Sequence, residues 1–181
     1  GVALQPDGKI VVAGSGGSID IAVARYNPDG SLDSTFDGDG KLLTSVGGID
    51  RGNDVALQPD GKIVVAGYTY ADFAVIRYNA DGSLDSTFDS DGKLVTDFQG
   101  NYDEGYALFL QPDGKIVVSG SANNGTNDDF ALARYNPDGS LDTSFSGDGI
   151  QATDFASSND AANGVALQPD GKIVVAGSGG S

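Results

Sequence analysis

The 181-residue chain contains no Cys, no Met, no Trp and no His. Without Cys or His it can form no disulfide, zinc finger, haem ligation, Ser-His triad or thiol nucleophile. Basic residues are scarce: 10 Lys and Arg stand against 26 acidic residues, for a net charge of −16. Nucleic acid and anionic membranes both call for a basic surface, so neither is an expected partner. No stretch approaches the ~20 apolar residues of a membrane span. Glu is nearly absent, Glu104 being the single one. Asp competes with the helix backbone and suits turns, whereas Glu favours helices. An acidic set made almost wholly of Asp, alongside 28 Gly, points away from helices. The apolar set is largely strand chemistry. At 39% of the chain it is too large for a disordered acidic tail. The expected class is all-β, rich in tight turns. The chain opens in mid-pattern without an initiator Met or signal peptide and reads as a mature piece or a fragment of something longer. The lack of Cys fits a cytosolic or a bacterial extracellular home.

What is present is a repeat. QPDGKIVV begins at Gln5, Gln58, Gln111 and Gln168. A second block, AVARYN and its variants, ends at Asn27, Asn79 and Asn136. A third, SLDSTF or SLDTSF, ends at Phe36, Phe88 and Phe145. Cut before VALQ, the units are 1–53, 54–106 and 107–163, with the hairpin of a fourth at 164–181. Residues 1–18 and 164–181 are identical.

Each unit reads as short strands joined by hairpin turns. In VALQ-PDG-KIVVAG, Pro6 presets φ, Asp7 suits the second turn position and Gly8 accepts positive φ. The same chemistry recurs at 28–30, with Ala80-Asp81-Gly82 as the variant in the second unit. GKLLTSV (40–46), with its counterparts at 92–98 and 149–155, reads as a fifth short strand or a link to the next unit. KIVVAG shows no apolar alternation, and IAVARY (21–26) alternates only weakly. A sheet apolar on both faces must be covered on both faces, whereas a sandwich leaves one face of each sheet polar. Small sheets stacked about an axis cover one another on both sides. The expected architecture is therefore a β-propeller with blades of about four antiparallel strands, one unit per blade.

GVALQPDGKIVVAG followed by DFAVIRYNADGSLDSTFDSDGKLVTDF closely resembles the delta-60 repeat family, bacterial repeats of propeller type. The hairpins are also similar to NHL-type blades. The resemblance covers essentially the whole chain. It implies large secreted or surface-attached bacterial proteins. By analogy with NHL-type blades it places four strands of the first unit at about 2–5, 9–14, 21–27 and 31–36.

Three units and a hairpin fall short of the 4–8 blades that close a propeller. The expectation is a partial propeller: excised from a longer array, assembled from several copies, or continued as an open solenoid or filament. The chain itself is thus an expected partner, as a homo-oligomer or longer array.

Three features are candidate sites. The Asp-Gly loops at 37–40, 89–92 and 146–149 resemble the start of a calcium loop. Lys41 and Leu42 break the spacing and Ser146 replaces the first Asp, so tight turns are the better reading and no metal or cofactor is assigned, calcium being the one alternative. Arg25, Arg77 and Arg134 could ring a channel, but Asp33, Asp85 and Asp142 lie across the same hairpin and favour structural pairs. The loops that differ between units, 15–20, 68–72 and 121–129, are the candidate binding loops. Their contact residues are Tyr68, Tyr70, Asn123, Asn124, Asp128 and Asp129, of which Tyr68 and Tyr70 are suited to stacking on a sugar or peptide. GSGG (14–17) follows a strand but precedes no helix, which excludes a phosphate cradle. The functional expectation is a non-enzymatic, extracellular or cell-surface repeat scaffold that contacts protein or glycan or associates with itself. The alternatives are a structural filament and a calcium-dependent adhesion module.

Overall fold

A computed structural model describes residues 1–17, 19–98 and 100–180. Ser18, in the predicted 15–20 loop, and Ser181, in the predicted last hairpin, lie outside the described residues.

Among the described residues, fourteen strands form four antiparallel sheets. The first sheet is β1 (Val2–Leu4), β2 (Ile10–Gly16), β3 (Asp20–Tyr26) and β4 (Lys41–Thr44), in chain order. The second is β5 (Asp50–Leu57), β6 (Ile63–Thr69), β7 (Asp72–Tyr78) and β8 (Lys93–Thr96). The third is β9 (Asp103–Leu110), β10 (Ile116–Asn123), β11 (Asp128–Tyr135) and β12 (Ile150–Thr153). A final hairpin pairs β13 (Ala161–Leu167) with β14 (Ile173–Ser178). The chain is an open, partial propeller of three blades and the inner half of a fourth. First strands neighbour one another along the inner edge, and each blade lies over the one before it.

The Pro-Asp-Gly chemistry builds the turns as read. Gly8, Gly61, Gly114 and Gly171 have φ of 84–87°, and each turn's Asp accepts a bond from the following Lys N–H, as Asp7 does from Lys9.

One expected strand is displaced. SLDSTF (31–36) is not the fourth strand and keeps only the bridge Tyr26↔Leu32. That place belongs to GKLLT, with Val23 opposite Leu42. The ladder shows why. Arg25 C=O accepts from Asp33 N–H while Arg25 N–H donates to Gly40 C=O, so the intervening residues loop out of one ladder site. Two successive turns hold the loop, Gly40 N–H bonding Phe36 C=O at 2.7 Å. They drive the Phe36 ring inward, where it is fully buried. Phe88 fills the equivalent place. The strand that opens the second blade begins at Asp50, ahead of VALQ.

Two apolar layers separate the blades. Val11, Ala13, Ile21 and Val23 of the first blade meet Val55, Ile63, Val65 and Tyr78 of the second. Val64, Ala66, Phe73 and Val75 on the opposite face of the second meet Leu108, Ile116, Val118 and Tyr135 of the third. Both faces of β6 and β7 are therefore buried, while β2, of nearly the same sequence, alternates buried and exposed because one face has no neighbour. Polar bonds cross each layer in register. The Tyr78 hydroxyl donates to Thr44 Oγ1 at 2.7 Å, and Tyr135 to Thr96 at 2.8 Å. Arg25 donates to Ala80 C=O and Arg77 to Pro137 C=O. Asp37 N–H donates to Asp81 C=O, and Asp89 N–H to Asp138 C=O.

Removing the plug should be costly. Phe88→Ala is expected to lower unfolding free energy by about 3–5 kcal/mol, and Leu84→Ala, at the partly exposed start of the same loop, by less than about 1 kcal/mol. Urea titration of both variants measures the difference, and equal costs would refute the plug.

Candidate functional site

The two ends of the blades differ in chemistry. One end carries the Pro-Asp-Gly turns and an Arg–Asp–Lys network. Arg25 Nε donates to Asp33 Oδ2 at 2.7 Å, Arg77 to Asp85 at 2.6 Å and Arg134 to Asp142 at 2.7 Å. Lys9, Lys62 and Lys115 pair with the same three carboxylates at 3.0–3.1 Å. Each guanidinium also lies 4.7–4.8 Å from the Phe36, Phe88 or Phe145 ring centroid. The hydroxyl of Thr35, with Lys9 and Arg25, holds Asp33 well below the usual carboxylate range. Asp85 is held low by Thr87, Lys62 and Arg77 against the opposing effect of its burial. Asp142 is held low by Ser144 and Lys115. These arginines are thus occupied by partners in their own blade and, for Arg25 and Arg77, by a carbonyl of the next blade.

The Asp-Gly loops beside it are turns. Asp39, Asp91 and Asp148 each accept a bond from the backbone N–H two residues on. Asp37, Asp89 and Ser146 have φ of 45–52° and Gly40, Gly92 and Gly149 of 85–96°.

The other end gathers the loops that vary between units with the links from blade to blade. Short backbone bonds tie them: Asp50 N–H to Ile19 C=O, Asp103 N–H to Ala71 C=O and Asp160 N–H to Asp128 C=O, each 2.6 Å. Tyr70 stands on this rim, 67% exposed with φ of 47°, its side chain against Gly48. Tyr68 is half-buried, and burial pushes its hydroxyl up. Asn123, Asn124, Asp128 and Asp129 come together in one turn. Asn123 Nδ2 donates to Asp128 at 2.7 Å and Asn124 Nδ2 to Asp129 at 3.0 Å. Asn127 bridges this turn to the next link through Ser158 C=O at 2.9 Å.

Sequence reading missed what lies beneath the rim. Asp72, Asp97 and Asp103 converge, as do Asp129, Asp154 and Asp160, with carboxylate oxygens in each set within 4.8 Å of one another. Asp103 and Asp160 are buried. Asp103 accepts from Phe98 N–H at 2.8 Å and Asn123 N–H at 3.3 Å, and Asp160 from Phe155 N–H at 2.6 Å. Both carboxylates therefore brace the link between blades. Three carboxylates at this spacing are hard oxygen donors that suit a divalent cation such as calcium. In the first blade Ser45 stands where the others have Asp97 and Asp154. The signal was the recurrent TDF and an Asp five or six residues later, but only the fold brings in the third carboxylate from the start of β7 or β11. Tyr102, 65% exposed on the same rim, was also missed.

Charge crowding sets a pH response. Burial, with added repulsion from Asp97 and Asp72, pushes the Asp103 carboxyl up to about 6. Burial and Asp97 raise Asp72 as well. A carboxyl whose folded value exceeds its unfolded value stabilises the fold as it takes up its proton, and that gain is lost as pH rises through the folded value. For Asp33, Asp85 and Asp142 the sign is opposite: their contribution is present above about pH 4 and lost as pH falls below it. The melting temperature is expected to rise from pH 7 to about 5 and fall below about 4. Asp103→Asn should flatten the rise and keep the acid limb. Thermal melts from pH 3 to 8 measure both, and a wild-type curve that declines from pH 7 to 5 would contradict the buried carboxyl.

Residues 5–36, 58–88, 111–145 and 168–181 match the family model described as "Domain of unknown function (DUF5122) beta-propeller". In each full blade the matched stretch contains the Pro-Asp-Gly turn, the two central strands and most of the Phe-bearing loop. No curated protein matches the chain. With more than half of its residues in four matched segments, the chain belongs to the DUF5122 β-propeller repeat family.

Proposed function

We propose that the chain is a non-enzymatic repeat scaffold of an extracellular or cell-surface bacterial protein, of the delta-60 kind, which contacts protein or glycan through its variable rim. One observation carries this reading. Tyr70 and Tyr102, the two most exposed aromatic residues of the molecule at 67% and 65%, share the rim where the blades differ. Exposed aromatic rings beside hydrogen-bonding Asn and Asp side chains are the usual chemistry of sugar and peptide recognition. The opposite end repeats the same Arg–Asp–Lys arrangement blade after blade and binds itself. The net charge of −16 favours solubility outside the cell and repels acidic partners.

Self-association is a second reading, supported by the open side of the first blade. Val2 and Leu4 are 67% and 70% exposed there.

The rim reading is tested by probing a glycan array with fluorescently labelled chain. A Tyr70→Ala, Tyr102→Ala double variant is expected to lose the wild-type binding at least tenfold while its melting temperature stays within a few degrees, as for other surface substitutions. If the double variant unfolds, these rings are structural and the rim reading falls.

A further inference from the structure

The two ends of the blades differ most in how their charges are paired. Among the described residues, every Lys or Arg that pairs with a carboxylate does so at the Pro-Asp-Gly end or in the Asp-Gly loops beside it. Lys93 and Arg51 stand outside those pairs. Lys93 Nζ donates to the Ser45 carbonyl at 2.9 Å, and Arg51 is exposed where β5 leaves the rim. The acids are not so confined. Asp20, Asp72, Asp97, Asp103, Asp128 and Asp154 lie at the rim end of the strands, and none of them pairs with a Lys or Arg among the described residues. Burial first, and crowding second, raise the Asp72 and Asp103 carboxyls. Much of the −16 net charge is thus left without a counter-charge at one end.

An apolar stripe crosses the same end. Backbone bonds carry it from blade to blade: Ile19 C=O accepts from Asp50 N–H, Ile49 C=O from Tyr70 N–H at 2.7 Å, and Tyr102 C=O from Asn123 N–H at 3.0 Å. The four side chains are left in water, Ile19 and Ile49 at 43% and 50% exposure beside the more exposed Tyr70 and Tyr102. Tyr70 is held there against its own backbone preference. Its φ is 47°, and Gly17 takes the equivalent place in the first blade with φ of 60°. A bulky residue in the left-handed region is an outlier, and such strain gathers at functional positions. The second blade thus keeps an aromatic ring where glycine suits the turn better.

Exposed rings flanked by unpaired carboxylates call for a ligand with flat apolar faces and positive charge. We propose that the rim binds a glycan that carries free amines, a chain of amino sugars. This inference rests on the rim reading and names its ligand. The carbon face of a pyranose ring stacks on Tyr70 and Tyr102. An ammonium group over a Tyr ring adds a cation–π contact. The remaining ammonium groups supply the counter-charge that half-buried Asp72 and exposed Asp97 lack. A neutral glycan stacks equally well but leaves those carboxylates uncompensated. A glycan bearing carboxylate or sulfate is repelled. Complementary charge of this kind chooses among partners that share a shape.

Calorimetric titration of the full chain with three probes tests this: a glucosamine hexamer, the N-acetylglucosamine hexamer of the same linkage, and hexalysine. Slightly acid buffer keeps the amines protonated. The glucosamine hexamer is expected to bind roughly tenfold or more tightly than its acetylated twin, and the difference should shrink from about 0.15 M to about 1 M salt, as the screening length falls from about 8 Å to about 3 Å. Tyr70→Gly should weaken binding of the glucosamine hexamer roughly tenfold with the melting temperature unchanged or raised, since glycine relieves the turn. Asp97→Asn keeps an oxygen for the Gly100 N–H and should reduce the preference for the amine several-fold without altering binding of the acetylated hexamer. Equal affinity for the two sugars, or an amine preference unmoved by Asp97→Asn, overturns the ammonium contact and leaves the rim reading standing. Hexalysine bound as tightly as the sugar, with Tyr70→Gly making no difference, shows recognition of charge alone and overturns the glycan. If neither hexamer binds, this inference falls, and the rim reading falls with it only when the glycan array is silent too.

Discussion

Each sheet is apolar on two sides, and no blade can hide both by itself. That constraint organises the molecule. The second blade satisfies it fully, with Val64 and Val65 on successive, oppositely facing positions of β6 both at 0% exposure. Burying a Val or Ile side chain stabilises by roughly 1.5–3 kcal/mol, and the stacked interfaces bury many of them. Among the described residues, no hydrophobic layer lies within a blade; each lies between two. Stability is therefore shared between neighbours, as in other repeat architectures.

The polar groups serve the same stacking. An isolated buried Arg is costly, and a buried ion pair is tolerable only when its remaining hydrogen-bonding groups are met. Arg25 meets that demand with Asp33, Thr35 and the Ala80 carbonyl of the next blade, while its guanidinium lies over Phe36. One side chain thus joins a hairpin, a plug and the adjoining blade. Tyr78 and Tyr135 add a directional bond on the same side of each interface, which fixes how one blade sits on another where dispersion alone would allow sliding.

The opposite rim uses carboxylates differently. Asp103 and Asp160 reach back to hold the backbone of the link between blades, and neighbouring carboxylates crowd them. A fold that places like charges together accepts a local cost, and such costs collect at functional positions. Variation among units, exposed aromatic rings and crowded carboxylates coincide on this rim. The guanidinium end is uniform and self-satisfied.

Much of this was legible in the residues. The Asp and Gly content gave strands and turns, Pro-Asp-Gly placed the hairpins, the repeat set the number of blades, and the spacing of Arg25 and Asp33 anticipated their pairing. Those features depend on neighbours along the chain. The fourth strand did not, because SLDSTF and GKLLT both read as strand, and only the double turn ending in Phe36 decides between them. The carboxylate triads were equally hidden, since their members come from different strands and a link. VALQPDGKIVVAG shows the division most plainly. It occurs three times unchanged, at 2–14, 55–67 and 165–177. It forms a hairpin each time, yet it is covered on one face in the first blade, on both in the second and hardly at all in the last hairpin. Backbone chemistry sets the hairpin locally. What covers it depends on which sheets stand beside it, and that is a property of the stack.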